Sequence, residues 1–154
     1  MTPPPSKTGI VFEKLLMGAR NCKLVFLSGT PLVNNVFEAT KLFNILRGYI
    51  VSYVYRIITS YSTDINWGKL KSSIKRNKYV DQIIINKNSK TIKVSRNPTN
   101  FVNSPRGDGI RFSPELNIND KKFSSNIRQI IEKQGYKVAL PVQRKVDTAL
   151  PTTE

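Results

Sequence analysis

The chain has 154 residues and a formal charge of +15, from 25 lysines and arginines against 10 aspartates and glutamates. This excess of positive charge favours a polyanionic partner, and nucleic acid is favoured over a membrane surface. The alternative is a chain adapted to generally basic surroundings. It has no histidine and a single cysteine, which excludes catalysis by histidine, the usual zinc ligand sets and an internal disulfide. Its first residues lack the apolar core of a signal peptide, and no apolar run is long enough to span a bilayer, so we expect a soluble, intracellular protein with no membrane partner.

The first third of the chain predicts a helix, a buried strand and a second helix. Apolar residues recur at helical spacing from residue 9 to 20, and residues 23 to 27 form a short apolar run typical of a parallel strand covered on both faces. A second amphipathic helix is expected to begin after Asn34 or Asn35 as its N-cap and to end at Gly48. Because one strand cannot make a sheet alone, this segment predicts a piece of a larger parallel α/β sheet.

The remainder predicts a second, α+β unit in which strands and helices alternate. The expected elements are a strand at 50–60, a helix at 64–77 capped by Asp64, a hairpin at 80–98 that turns at 87–89, a loop at 101–116, a helix at 120–135 and a strand from Tyr136. The order β-α-β-β-α-β is the split motif of a ferredoxin-like sandwich. We therefore predict three parts: residues 1–48, an α+β inserted domain at 49–140, and a linker or tail at 141–154.

A polar turn directly follows the predicted buried strand. In "LVFLSGTPLVNN" the apolar run ends in Ser28, Gly29, Thr30 and Pro31, with Asn34 and Asn35 beyond them. Gly29 allows a close backbone approach, and the hydroxyls of Ser28 and Thr30 can exchange hydrogen-bond partners. The alternative is an ordinary strand-to-helix turn, in which Ser28 caps the helix and Pro31 is its first residue.

This stretch, followed by "LFNIL", resembles motif III of superfamily-two helicases, and most closely that of Swi/Snf-like translocases and the helicase-type ATPases of large DNA viruses. The stretch from "YVDQIIINKNSKTIKVSRNP" through "ALP" is similar to the region that follows motif III in those viral proteins, so the resemblance covers nearly the whole chain. It implies an α/β fold: the helix-strand-helix end of a first RecA-like lobe, followed by the inserted domain. It also implies that residues 28 to 31, with Asn34 and Asn35, couple ATP hydrolysis to movement on DNA or RNA, in the host cytoplasm, nucleus or virion.

The motifs that hold ATP in such enzymes are missing. Phosphoryl transfer needs a Gly-x-x-x-x-Gly-Lys-Ser/Thr loop and an Asp-Glu pair for Mg²⁺, and the sequence contains neither. The "SKTG" at Ser6 has no glycine-rich loop and no strand before it. We therefore expect a fragment whose parent uses ATP and Mg²⁺ and whose partner is the missing remainder of the helicase. On its own the chain is expected to be inactive, without a cofactor or a metal.

Basic residues are concentrated in the second half of the chain. Five of them are candidates for one nucleic-acid-binding face, namely Lys69, Lys71, Lys75, Arg76 and Lys78. Lysines and arginines of this kind contact phosphates and position a strand without reading its sequence, whereas the alternative is a merely solvated helix face. The predicted hairpin has no central aromatic residue for stacking on RNA bases. The predicted function is thus a helicase or translocase fragment, and the alternatives are a non-enzymatic basic nucleic-acid-binding module and a structural protein.

Overall fold

A computed structural model describes residues 7–29, 39–59 and 65–150 of the chain. These residues form helices and antiparallel sheets, so the protein has a mixed α/β structure. The chain divides into two compact units. The first unit comprises Met1–Ile50 and Asp147–Glu154, and the second unit comprises Val51–Val146.

Two helices form the described part of the first unit. They are α1 (Lys7–Gly18) and α2 (Ala39–Arg47), and both were predicted from their apolar periodicity. Gly48 has a φ of 77° and ends α2, because this left-handed conformation favours glycine. The buried Asn44 side chain exchanges two hydrogen bonds with the Leu150 backbone, donating to its oxygen at 3.0 Å and accepting from its nitrogen at 2.8 Å. The predicted N-caps Asn34 and Asn35 lie outside the described residues.

The predicted buried strand at residues 23 to 27 is wrong. This segment has neither helix nor strand, and no described strand pairs with it. Its side chains are largely exposed, Leu27 to 91%. A parallel strand needs neighbours that pair its backbone groups and helices that cover both faces, and the described residues supply neither here. The apolar run is therefore present without the sheet that it would require.

The second unit is built on an antiparallel sheet with two helices. Its strands are β1 (Ile50–Ile58), β2 (Val80–Asn86), β3 (Thr91–Arg96), β4 (Phe101–Asn103), β5 (Ile110–Phe112), β6 (Lys137–Val138) and β7 (Gln143–Asp147), and its helices are α3 (Trp67–Lys75) and α4 (Asp120–Lys133). The main sheet has the order β2-β3-β1-β6, with β7 also pairing with β1. The β1–β3, β2–β3 and β1–β6 pairs are antiparallel, and the predicted hairpin is confirmed.

The core lies between this sheet and the two helices. Every second side chain of β1 from Tyr53 to Ile57 is buried, in register with Val94 and Ile92 of β3. The helices contribute apolar residues four positions apart: Leu70 and Ile74 from α3, and Phe123, Ile127 and Ile131 from α4. The alternating apolar residues of the strands pack against the apolar faces of the two helices, and together they enclose the core of this unit.

Asparagine side chains cap both helices of the second unit. Asn66 accepts a hydrogen bond from the Lys69 backbone nitrogen at 3.1 Å, and Asn119 accepts one from that of Lys122 at 2.8 Å. The predicted cap of α3, Asp64, lies outside the described residues, and Asn66 holds that position. Gly135 follows α4 with a φ of 92°, as its predicted role at the helix end requires.

Two regions contain structure that the sequence pattern did not predict. The predicted loop at residues 101 to 116 contains β4 and β5, a two-stranded antiparallel sheet, and the short 3-10 helix Pro114–Leu116. The rings of Phe101 and Phe112 pack edge to face across these strands, with centroids 5.5 Å apart. In the predicted tail, residues of β7 pair with β1. None of the described helices has the length and apolar character needed to span a bilayer.

Candidate nucleic-acid interface

A cleft of about 440 Å³ opens in the second unit between the C-terminal end of α3 and the β4–β5 hairpin. We call it the basic cleft; its lining residues are Lys75, Arg76, Lys78, Val102, Asn103, Ser104, Pro105, Arg111 and Leu116. Four of these side chains are cationic, and none of the described residues that line the cleft is acidic. A concave surface with this charge attracts anions.

The burial of one face of α3 orients the first wall of the cleft. Leu70 and Ile74 are completely buried, which turns Lys75 and Arg76 towards solvent. Arg76 is the C-cap residue, and its backbone N–H donates to the Ile74 oxygen. Cations in the last turn of a helix are favourable because they face unpaired carbonyl groups. The end of α3 therefore presents positive charge at low energetic cost.

Two asparagines, the buried Asn97 and the half-buried Asn103, join this wall to the second one. The Asn97 amide nitrogen donates to the Lys78 oxygen at 3.2 Å and to Asn103 Oδ1 at 2.9 Å, and Asn97 is only 2% exposed. Asn103 in turn donates from its side chain to the Val80 oxygen at 2.8 Å and from its backbone nitrogen to the Lys78 oxygen at 2.7 Å. Hydrogen bonds that are largely shielded from water in this way fix geometry. The segment that carries Lys78 is thereby held against β4.

The second wall carries Arg111, a cleft residue that the sequence analysis missed. Arg111 lies on β5 opposite Val102 of β4. The hairpin turn is closed by a hydrogen bond from the Ser104 nitrogen to the Gly109 oxygen at 2.8 Å, and Gly109 has a φ of 126°. The signal was present: the triplets "FVN" and "IRF" flank a turn-rich "SPRGDG", which is a hairpin pattern with very short strands.

The five predicted basic residues do not all lie at the cleft. Lys75, Arg76 and Lys78 line it, whereas Lys69 and Lys71 do not. The latter two are exposed on α3 and two positions apart, which places them about 200° apart around the helix axis, on opposite flanks. The structure thus brings together three of the predicted residues and adds Arg111.

Another arginine, Arg96 at the end of β3, is engaged by neighbouring side chains of the protein. It is 7% exposed, its Nη1 lies 2.6 Å from Asp120 Oδ1, and its guanidinium lies 5.9 Å from the centre of the Phe123 ring. Arg144 Nη2 contacts the other oxygen of Asp120 at 3.1 Å, and this hydrogen bond raises the pKa of Arg144. Arg96 is therefore a structural cation of the core edge rather than a phosphate ligand.

The tyrosines of the central strand are also unavailable to a ligand. Tyr53 packs against Phe123 with ring centroids 6.0 Å apart, and the Tyr55 hydroxyl donates to the Ser124 backbone oxygen at 3.0 Å. Burial is the main cause that raises the pKa of both hydroxyls, and the charge of Asp120 adds to the effect at Tyr53. Stacking on RNA bases requires aromatic rings on an open sheet face, and these two rings point into the core.

Most of the predicted coupling loop lies outside the described residues. Ser28 and Gly29 are described and exposed, in a segment without helix or strand. Thr30, Pro31, Asn34 and Asn35 fall in the part of the chain that the structure does not describe. Within the described ranges, no group of three or more histidine, cysteine, aspartate or glutamate side chains is placed to hold a metal ion.

No protein-family model matches the chain, and neither a curated protein nor a solved structure is significantly similar to it.

Proposed function

We propose that the protein binds nucleic acid through the basic cleft, without sequence preference. The observation that carries this proposal is the convergence of four cations from α3, the segment after it and β5 on one cleft with no carboxylate among its described lining. Such residues contact phosphates, and phosphate contacts position a strand but carry no sequence information. The net charge of +15 supports the same partner. Non-specific binding of this type has dissociation constants of about 10⁻⁴ to 10⁻⁶ M at physiological salt.

The salt dependence of binding tests this proposal. We would titrate DNA and RNA oligonucleotides with the wild type and with a triple variant, Lys75→Gln, Arg76→Gln and Lys78→Gln, at several salt concentrations. Each lost phosphate contact removes counterion release, so the slope of log K against log salt should flatten by up to about three units. A matched triple variant of exposed basic residues in the first unit, Lys14→Gln, Arg20→Gln and Lys23→Gln, should keep the wild-type slope. Coincident slopes for wild type and cleft variant would contradict the proposal.

We also propose a ferredoxin-like arrangement for the second unit. The support is the strand order β2-β3-β1-β6, antiparallel at each step, with α3 between β1 and β2 in the chain and α4 between β3 and β6. That is the order of elements in a split β-α-β-β-α-β motif. The β4–β5 hairpin is then an addition between β3 and α4, and it supplies one wall of the cleft.

A second candidate function is favoured by the apolar surface of the first unit. We propose that this unit is a piece of a RecA-like lobe, and that the remainder of an ATP-dependent helicase would cover it. Large apolar side chains of α1 and of residues 23 to 27 are exposed, among them Val11, Leu15 and Leu27. ATP and Mg²⁺ would then be held by that remainder, since the chain lacks the motifs for both.

Two measurements test this second candidate. The purified chain should hydrolyse no ATP with Mg²⁺ and nucleic acid present, and turnover that survives stringent purification would contradict the assignment of ATP binding to other parts. The full transcript should encode a phosphate-binding loop and an Asp-Glu pair upstream of residue 1. A transcript without them would leave only the nucleic-acid-binding module.

A further inference from the structure

We propose that the basic cleft binds a phosphomonoester, either the phosphorylated end of a strand or a free nucleotide, in preference to an internal phosphodiester. This inference rests on the proposed nucleic-acid binding and concerns the chemical class of ligand that enters the same cleft. Three observations carry it: the number of cations, the dimensions and lining of the cleft, and a hydrogen-bond donor at its edge.

The charge of the cleft suits a dianion better than a monoanion. Lys75, Arg76 and Lys78 share the cleft with Arg111, and no described lining residue is acidic. Glu115 offsets part of the charge of Arg111, which is one cause of the lowered pKa of that carboxyl. The cleft keeps an excess of positive charge, and a ligand relieves the remaining repulsion in proportion to its own charge. A phosphomonoester carries a charge of about −1.5 to −2 at pH 7 and presents three strong acceptor oxygens. A phosphodiester within a strand carries a single negative charge, so it relieves less of the repulsion.

The dimensions of the cleft suit one nucleotide rather than a continuous strand. Its volume of about 440 Å³ lies in the range of sites for single small molecules, roughly 300 to 1,000 Å³. An internal phosphate has backbone on both sides and must lie along a surface, whereas a terminal phosphate can enter a recess. The apolar residues Val102, Pro105 and Leu116 also line the cleft, and they offer contact to a sugar or base behind the phosphate.

One neutral donor at the edge of the cleft, the Ser104 hydroxyl, adds a hydrogen bond to this charge. Its oxygen accepts a hydrogen bond from the Arg106 backbone nitrogen at 3.3 Å, which leaves its own hydrogen to donate to a phosphate oxygen. The backbone hydrogen bonds of Asn103 and Ser104 hold this edge in place. The donor is thus positioned before the ligand arrives, which reduces the ordering cost of binding.

The experiment compares two single-stranded oligonucleotides of one sequence, with a fluorophore at the 3′ end and either a 5′-phosphate or a 5′-hydroxyl. Fluorescence anisotropy gives the dissociation constants for the wild type, for Arg111→Gln, and for Arg106→Gln, an exposed arginine of the same hairpin that does not line the cleft. We expect the wild type to bind the phosphorylated strand about tenfold or more tightly, the effect of one additional charged hydrogen bond. Arg111→Gln should lose most of this preference, and Arg106→Gln should keep it.

Lys75→Gln, an exposed substitution on the other wall, is a second variant with the same expected loss, and far-UV circular dichroism checks that each variant is folded. Competition by adenosine monophosphate then identifies the source of the phosphomonoester. Effective competition at concentrations near those of the strand indicates a free nucleotide, competition only at much higher concentrations indicates a strand end, and both results support the inference.

Equal affinity of the wild type for the two strands would overturn the inference. If the salt slope still flattens in the cleft triple variant, internal phosphates bind in the cleft, so the proposed function stands and only the inference fails. If Arg111→Gln and Arg106→Gln lose the preference equally, the phosphomonoester is bound outside the cleft, and the inference is again overturned. If neither strand binds at all, the proposed function fails as well.

Discussion

The two units of the protein differ in how they use their apolar residues. In the second unit, β1 and β3 bury alternate side chains against α3 and α4, and Tyr55, Leu70 and Ile127 are fully enclosed. In the first unit, α1 has clear apolar periodicity but no buried residue, and residues 23 to 27 are exposed and irregular. Apolar periodicity therefore indicates which face of a segment can be buried. Whether that face is buried depends on another element that packs against it.

The largest expected effect on stability is found by comparing a leucine-to-alanine substitution in the second unit with one in the first. Leu70→Ala removes a side chain with 0% exposure, and we expect a loss of about 2–5 kcal/mol in the free energy of unfolding because a cavity remains. Leu27→Ala removes a side chain with 91% exposure and should change it by no more than about 0.5 kcal/mol. Urea unfolding followed by far-UV circular dichroism measures both. A comparable loss for Leu27→Ala would show that residues 23 to 27 are buried in solution.

An intermediate effect is expected where the second unit holds a charge at its core edge. Asp120→Asn leaves the buried Arg96 guanidinium without its carboxylate, and we expect a loss of about 1–3 kcal/mol in the free energy of unfolding. Arg144→Gln removes the other, half-exposed partner of Asp120 and should cost no more than about 1 kcal/mol. Thermal unfolding of both variants checks this order, and equal losses would mean that Arg96 has another source of stabilisation.

The smallest effect concerns Glu115, which accepts a hydrogen bond from the Ser113 hydroxyl at 2.6 Å. This hydrogen bond is the main cause that lowers the pKa of Glu115 from its ordinary value of 4.5. A carboxylate with a lowered folded-state pKa stabilises the protein above its unfolded-state pKa, and this contribution disappears as pH falls through the folded-state value.

We therefore expect the wild type to have a slightly higher melting temperature than Glu115→Gln at pH 6, with the difference shrinking below pH 4.5. Melting curves of both proteins across this range measure the difference. Ser113→Ala removes the donor and should reduce the same pH-dependent part, since the backbone hydrogen bond of Glu115 and the charge of Arg111 remain. A difference that is constant with pH would show that the hydrogen bond does not depend on the charge of Glu115.

Much of the second unit was predictable because its segments carry strong periodic signals. The hairpin of β2 and β3 and the helix α4 combine such periodicity with asparagine and glycine at turns and ends. Short elements gave no such signal: β4 and β5 have three residues each, and they exist because they pair with each other and because Asn103 bonds to the start of β2. Arg111 was missed for this reason: the turn residues of the hairpin are visible in the sequence, but strands of three residues show no periodicity.

The strand predicted at residues 23 to 27 failed for the opposite reason. Its local signal is strong, but a parallel strand is defined by neighbours that the sequence of the segment itself does not specify. The candidate site was likewise predictable only in part. Lys75, Arg76 and Lys78 were found from the concentration of basic residues, whereas Lys69 and Lys71 were grouped with them although two positions on a helix lie on opposite sides of its axis.

Nucleic acid is proposed to bind to the second unit at the basic cleft and not to the first unit. The most direct measurement is a titration of the full ¹⁵N-labelled chain with a single-stranded oligonucleotide, followed by amide chemical shifts. We predict the largest shift changes at residues 75 to 79 and 103 to 111, with little change at residues 10 to 29. Changes concentrated at residues 10 to 29, with the cleft residues unmoved, would contradict the claim.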